Sequence, residues 1–268
     1  MIENTAKLDD EKLKDYLYFV GLKKINSITI TTGNWHPFNR PPVDVSTNDS
    51  DFRIAAAVNF VNMDGTYDIE IMTNASVLEM PENCEALFAD MSRLESFNAL
   101  SANIDASKAK NISHMFEGDK NLKHAILDGW QFSNVVDASY MFRRCESLED
   151  VDIGEGYEKL ENIRSAFAYC KSLKELNVAS FFESEELWEN SYLCDKCRSL
   201  EHVDMGRVSY EDLDKNMFQP FGGDYNLKTV RIEEGVFEPI REVNNDRLIG
   251  FSELDIGREE IRDEGLGL

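Results

Sequence analysis

Cys194-Asp195-Lys196-Cys197 is the one CxxC spacing in the chain, and it opens two chemistries. A CxxC pair can exchange a disulfide or supply half of a zinc site, but zinc needs two further ligands at a matching spacing. No second pair follows. The histidines His36, His114, His124 and His202 stand apart, and none belongs to an HExxH string. Ser, His and Asp are plentiful, yet no GxSxG elbow and no glycine-rich phosphate loop occurs; Gly222-Gly223 reads as a turn. The acidic run Glu183–Glu186 lacks the DxDxDG calcium pattern and reads as a solvated face. The expectation is therefore no catalytic residues, no metal, no cofactor and no enzyme. One loop, GNWHPFNRPP, gathers Trp35, His36 and Phe38 beside Arg40. That composition suits a contact hot spot, or a loop folded back onto its own neighbours.

The elements that position such residues are bounded first by charge. With 28 basic against 51 acidic residues the chain carries −23, so it repels phosphate backbones and anionic lipid surfaces, and no nucleic-acid partner is expected. Solubility is the plain role of that charge; mimicry of DNA is a minor alternative. The longest apolar stretch, Ile54–Val61, is too short for a bilayer, so no membrane insertion is expected. The opening MIENTAKLDDEKLKDYLYFV lacks a basic-then-apolar pattern, which predicts a chain made in the cytoplasm without a signal peptide. Five cysteines, an odd number, argue against a closed disulfide framework.

Internal similarity organises the rest. MFRRCESLEDVDI from Met141, AFAYCKSLKELNV from Ala166 and LCDKCRSLEHVDM from Leu193 share an apolar pair, a Cys, a Ser-Leu and an alternating apolar tail. Weaker copies begin at Leu87, Met115, Pro220 and Phe251. The anchors Leu94, Leu122, Leu148, Leu173, Leu200, Leu227 and Phe251 are separated by 28, 26, 25, 27, 27 and 24 residues, a period in the leucine-rich-repeat range. Before each anchor, apolar residues recur at spacings of three and four, as with Ile112 and Phe116 or Ala138 and Phe142, which predicts a short helix. After it, Val151/Ile153, Leu176/Val178 and Val203/Met205 alternate with polar residues, which predicts a strand. The expected core is Leu94, Phe116, Leu122, Phe142, Cys145, Leu148, Phe167, Cys170, Leu173, Cys197, Leu200 and Leu227. Cys145, Cys170 and Cys197 should stack as small apolar fillers, with Cys194 in a core Phe position. Asp152, Asn177, Asp204 and Arg231 should face solvent as a candidate binding surface.

SANIDASKAKNISHMF (Ser101–Phe116) and GWQFSNVVDASYMFRRCESLEDVDI (Gly129–Ile153) closely resemble the BspA-like leucine-rich repeat, found in bacterial surface antigens, mycoplasma lipoproteins, parasitic protists and some viral genomes. Trp130 matches its aromatic site, Ser133-Asn134-Val135 its turn, Met141-Phe142 its helix and Cys145 its Cys, while Met91, Asp119 and Asp224 depart from the Cys. The resemblance covers residues 77–256. It implies an α/β solenoid, a right-handed leucine-rich-repeat coil of about seven units of 24–28 residues with a parallel β ladder. It also implies adhesion or protein binding, with no catalytic residue to carry over.

Residues 1–76 fall outside the repeat and predict a small α+β cap or an anchoring region. Leu13, Tyr16, Leu17 and Val20 mark a helix ending near Gly21, and strands are expected at Ser27, Phe52 and Thr66. Residues 257–268 read as a C-terminal cap or tail. Three functions compete. The first is a binding or structural module for a protein or surface glycan, carried as an accessory subunit of a phage or virus particle and docked through residues 1–76. The second is an intracellular adaptor or acidic inhibitor of a host protein. The third is an exported surface adhesin whose signal has been removed.

Overall fold

A computed structural model describes residues 4–33, 37–99, 102–209, 221–224, 226–233, 235–241 and 248–253. Its N-terminal part holds β1 (Thr5–Lys7), α1 (Asp10–Val20), β2 (Ile25–Thr32), β3 (Val43–Asp44), β4 (Ile54–Val61), β5 (Tyr67–Thr73) and β6 (Val77–Glu79). Asp9 starts α1 by accepting a hydrogen bond from the Lys12 N–H at 3.0 Å, satisfying one of the free donors of the first turn. Gly21 ends it at φ 99°, donating its N–H to the Leu17 carbonyl. The helix buries Leu13, Tyr16 and Leu17. Its Asp10 and Lys14 act on the Cys84 thiol of the first repeat, which burial pushes up to about 12.

The repeats supply short strands: β7 (Ser96–Asn98), β8 (Ile104–Asp105), β9 (His124–Ile126), β10 (Asp150–Asp152), β11 (Glu175–Asn177), β12 (His202–Asp204) and β13 (Thr229–Ile232). A hairpin of β14 (Gly235–Arg241) and β15 (Leu248–Glu253) follows. β6 lies between β1 and β8 in a three-stranded parallel sheet. Seven strands form a mixed sheet in the order β10-β9-β7-β2-β5-β4-β3, and five form a second mixed sheet, β11-β12-β13-β14-β15.

This overturns the expected α/β solenoid, the right-handed leucine-rich-repeat coil with its parallel β ladder and separate α+β cap. The repeat strands are divided between sheets: β9 pairs with β10, and β11 with β12, but β10 and β11 are not paired. β2, from the segment expected to be a separate cap, runs parallel to both β5 and β7, so four N-terminal strands and three repeat strands share one sheet. Antiparallel pairing of β13 with β14 makes the far sheet mixed as well.

The expected repeat helices are replaced by chains of turns among the described residues, and the cause is in the backbone. Two residues four apart take positive φ in successive repeats: Ala86 and Asp90, His114 and Gly118, Tyr140 and Arg144, Ser165 and Tyr169, Tyr192 and Lys196. Left-handed residues break a right-handed helix. Alternate amides therefore turn outward to the next repeat: His114 N–H to Ser139 O, Phe116 to Met141 and Gly118 to Arg143, each at 2.8–2.9 Å. One repeat later Tyr140, Phe142 and Arg144 donate to Arg164, Ala166 and Ala168 in the same way. The three- and four-residue apolar spacing survives because such turns also return a side chain to the core about once per turn.

Positive φ at Ala86 (53°) strains an exposed residue whose methyl group does nothing for the core. Ala86→Gly is expected to raise the unfolding free energy by about 0.5–1 kcal/mol, where the same change inside a helix would cost about as much. Gly118→Ala should do the reverse, because its new Cβ would sit 2.7 Å from the Asp90 carboxylate. Urea denaturation of the two variants checks the opposite signs.

Candidate interaction surface

Each repeat turn is opened by a polar side chain that folds back on its own backbone. Asn83, Asn111, Asp137 and Asn162 each accept, through Oδ1, the N–H two residues later at 2.8–3.1 Å. Glu189 does the same through Oε1 at 2.9 Å. These five residues also bridge one another in parallel from repeat to repeat. The closed turn fixes the left-handed residues that follow, and the larger of their side chains, Tyr140, Arg144, Tyr169, Tyr192 and Lys196, stand out in columns.

Those columns collect rings and cations. His114 stacks on Tyr140 with centroids 4.8 Å apart, and the Arg143 guanidinium lies 5.4 Å over the same tyrosine. Arg164 covers Tyr192 at 5.3 Å. Tyr169 is approached by Arg144 at 5.8 Å and by Lys196 at 4.7 Å, one from each neighbouring repeat. Lys196 also donates to the Tyr169 hydroxyl at 2.9 Å. That bond first, and the Asp195 carboxylate second, hold the Lys196 ammonium above its ordinary range. Nearby carboxylates neutralise most of the cations: Glu117 takes Arg143 at 3.0 Å, Glu189 takes Arg164 at 3.7 Å and Asp195 takes Lys196 at 3.2 Å. His114 also meets Glu117. Trp188, 71% exposed, leans its Nε1 toward Glu161 at 3.4 Å.

Trp35 and His36 lie outside the described residues, and Phe38 is half-buried. Asn177, Asp204 and Arg231 stand in register across β11, β12 and β13, whereas Asp152 lies at the edge of the seven-stranded sheet. Asp152, Asn177 and Asp204 each spend one oxygen closing the turn after their strand, on the N–H of Gly154, Ala179 and Gly206. The other Asp204 oxygen pairs with Arg231 at 3.3 Å. These residues thus close turns and lock register. What the sequence offers for the Tyr and Arg columns is faint: a polar–apolar–polar triplet such as Asn111-Ile112-Ser113 or Asp137-Ala138-Ser139 ahead of four of these five turns.

Beneath the turns, Leu94, Phe116, Leu122, Phe142, Cys145, Leu148, Phe167, Cys170, Leu173, Cys197 and Leu200 are fully buried, and Leu227 nearly so. The Cys145, Cys170 and Cys197 thiols donate to the carbonyls of Phe116, Phe142 and Phe167 at 3.0–3.1 Å. All five cysteines are free and buried. Burial raises the Cys194 and Cys197 thiols well above their ordinary value, which disfavours the thiolate that exchange chemistry or metal binding requires. Among the described residues no three His, Cys, Asp or Glu side chains gather to hold a metal ion, and no helix is long and apolar enough to cross a membrane.

No curated protein and no solved structure matches the chain. A family model does match residues 82–203, the stretch that carries the turn columns, and its description is Mycoplasma protein of unknown function, DUF285.

Proposed function

We propose that this chain is a non-catalytic protein-binding module whose contact surface is the turn face. One observation carries the proposal: Tyr140, Tyr169 and Tyr192 are covered by Arg143, Arg144 and Arg164 on successive turns, and Trp188 is 71% exposed just before the last of them. Tyr, Trp and Arg are the residues that concentrate binding energy at protein interfaces. Their backbones are tied to the next repeat, as in the Arg144 N–H to Ala168 O bond at 2.8 Å, so little order remains to be imposed on binding. A glycan is less well served, because the tyrosine faces are already covered by guanidinium and ammonium groups.

The test is cross-linking in native extract with the wild-type chain and with Arg144→Ala/Trp188→Ala/Tyr192→Ala. Partner peptides should be joined to the turn face, and their yield should fall by about tenfold or more in the triple variant at an unchanged melting temperature. Equal yield from the variant, or cross-links confined to other faces, defeats the proposal.

A second docking surface is favoured by a separate observation in residues 1–76. Tyr18 and Phe19 on α1 are 79% and 86% exposed, and Phe60 and Met63 are exposed at and beyond the end of β4. Exposed apolar side chains of this size suit attachment to a larger assembly, such as a virus or phage particle. Phe19→Ser/Met63→Ser should then release the chain from that assembly while leaving turn-face cross-links intact.

A further inference from the structure

We infer that the partner of the turn face is a protein segment bearing a carboxylate, and that Arg144 is the residue that receives it; this rests on the protein-binding function proposed above. The chain carries −23 overall, so its cations are mostly answered from within. On this face Arg143, Arg164 and Lys196 each have a carboxylate within 4 Å. Arg144 has no ion pair among the described residues, although it is exposed. One side of it is defined by the Tyr169 ring at 5.8 Å. The repeat on its other side presents Gly118, which has no side chain, with the Asp90 carboxylate leaning over that glycine.

Arg144 is thus an exposed guanidinium braced against a ring, on a backbone pinned at φ 64° by its bond to Ala168. A guanidinium held in one orientation offers two parallel N–H donors, the arrangement that fits a carboxylate and discriminates against neutral acceptors. Glu117 and Asp195 already hold Arg143 and Lys196, and a chain at −23 would repel a run of acids. The fitting ligand is one Asp or Glu flanked by neutral or apolar residues that can cover Tyr169, Tyr192 and Trp188.

A random peptide library displayed on phage provides the probe. It is selected on the full wild-type chain and depleted on Arg144→Glu. Recovered peptides should contain a single Asp or Glu about twice as often as the unselected library and should bind Arg144→Glu about tenfold or more weakly. Arg144→Lys should recover only part of the affinity, because a point charge cannot form the paired bonds. Circular dichroism confirms that each variant is folded, and the Arg144 side-chain Nε–H signal of the wild-type chain should shift on adding the synthetic acidic peptide. Peptides that compete at the turn face without acidic enrichment, or that bind Arg144→Glu equally, overturn the carboxylate assignment alone. Peptides that bind only elsewhere overturn the turn-face function itself.

Discussion

Phe142→Ala is expected to remove about 3–5 kcal/mol of stability, the usual cost of emptying a buried phenylalanine site. Its ring lies 5.1 Å from that of Phe116 at 2° and 5.3 Å from that of Phe167 at 14°, and all three are fully buried. Phe88 continues the stack, 5.6 Å from Phe116. Neighbouring turns cannot close on the space left behind, because the Phe116, Phe142 and Phe167 amides are each bonded to the following repeat. A domain of ordinary stability has only about 5–15 kcal/mol in total, so the variant should unfold at a much lower urea concentration. Phe19→Ala, at an 86% exposed site, is the control and should change little. A Phe142→Ala midpoint close to that of the control would mean that the ring column does not hold the repeats together.

Some of this architecture is legible in the residues and some is not. The repeat spacing shows because each layer must return an apolar side chain to the same column; the Phe88, Phe116, Phe142 and Phe167 rings lie where that spacing puts them. α1 shows through its apolar face and Gly21, and β2, β4 and β5 through their strand-forming runs. The turn chains do not show. A helix and a series of turns both produce apolar spacings of three and four. The left-handed positions that decide between them hold Tyr140, Arg144 and Tyr169, with Gly118 the exception. Sheet membership is hidden for a different reason. INSITITT states that β2 is a strand, yet nothing local says that Ile28 pairs with Ile69 on one side and Phe97 on the other. The turn face proposed as the contact surface fails to show as a consequence: once Arg144 and Tyr169 are assigned to a helix, nothing sets them apart as neighbours.

Charge helps to fix the register between repeats. Lys123 meets Glu95 at 3.3 Å, Lys171 meets Glu146 at 2.5 Å and Lys228 meets Glu201 at 2.5 Å, each pair about one repeat apart in sequence. Exposed pairs of this kind add little stability. A slip in register would instead bring unlike layers together, setting acid against acid in a chain with 51 acidic residues. The excess negative charge is thus compatible with close stacking where the bases are distributed layer by layer.

Among the residues that depart from the thiol column, Asp119 carries a large expected consequence. Asp119 stands where Cys145, Cys170 and Cys197 stand in later repeats, and it is fully buried. Its Oδ1 accepts the Met91 N–H at 2.7 Å, while Oδ2 is buried with no hydrogen-bond partner. Burial first, and the Asp90 carboxylate next, raise the Asp119 carboxyl well above the ordinary range. The folded chain therefore keeps a proton that the unfolded chain gives up near pH 4. Between that pH and the raised folded value the native state binds more protons, so this group's contribution to stability falls as pH rises, by up to roughly tenfold in the folding constant per pH unit. Asp119→Asn keeps the acceptor for Met91, puts a neutral N–H group in place of the orphaned oxygen and cannot titrate. Its stability should match wild type near the unfolded carboxylate range and exceed it by a widening margin through neutral pH. The Cys145 thiol beside it, itself raised well above its ordinary value, stays protonated over that interval. Paired urea titrations across the interval read the difference directly, since every other titrating group cancels between the two chains. Parallel curves would show that Asp119 is ionised in the fold, with a counter-charge or water reaching Oδ2.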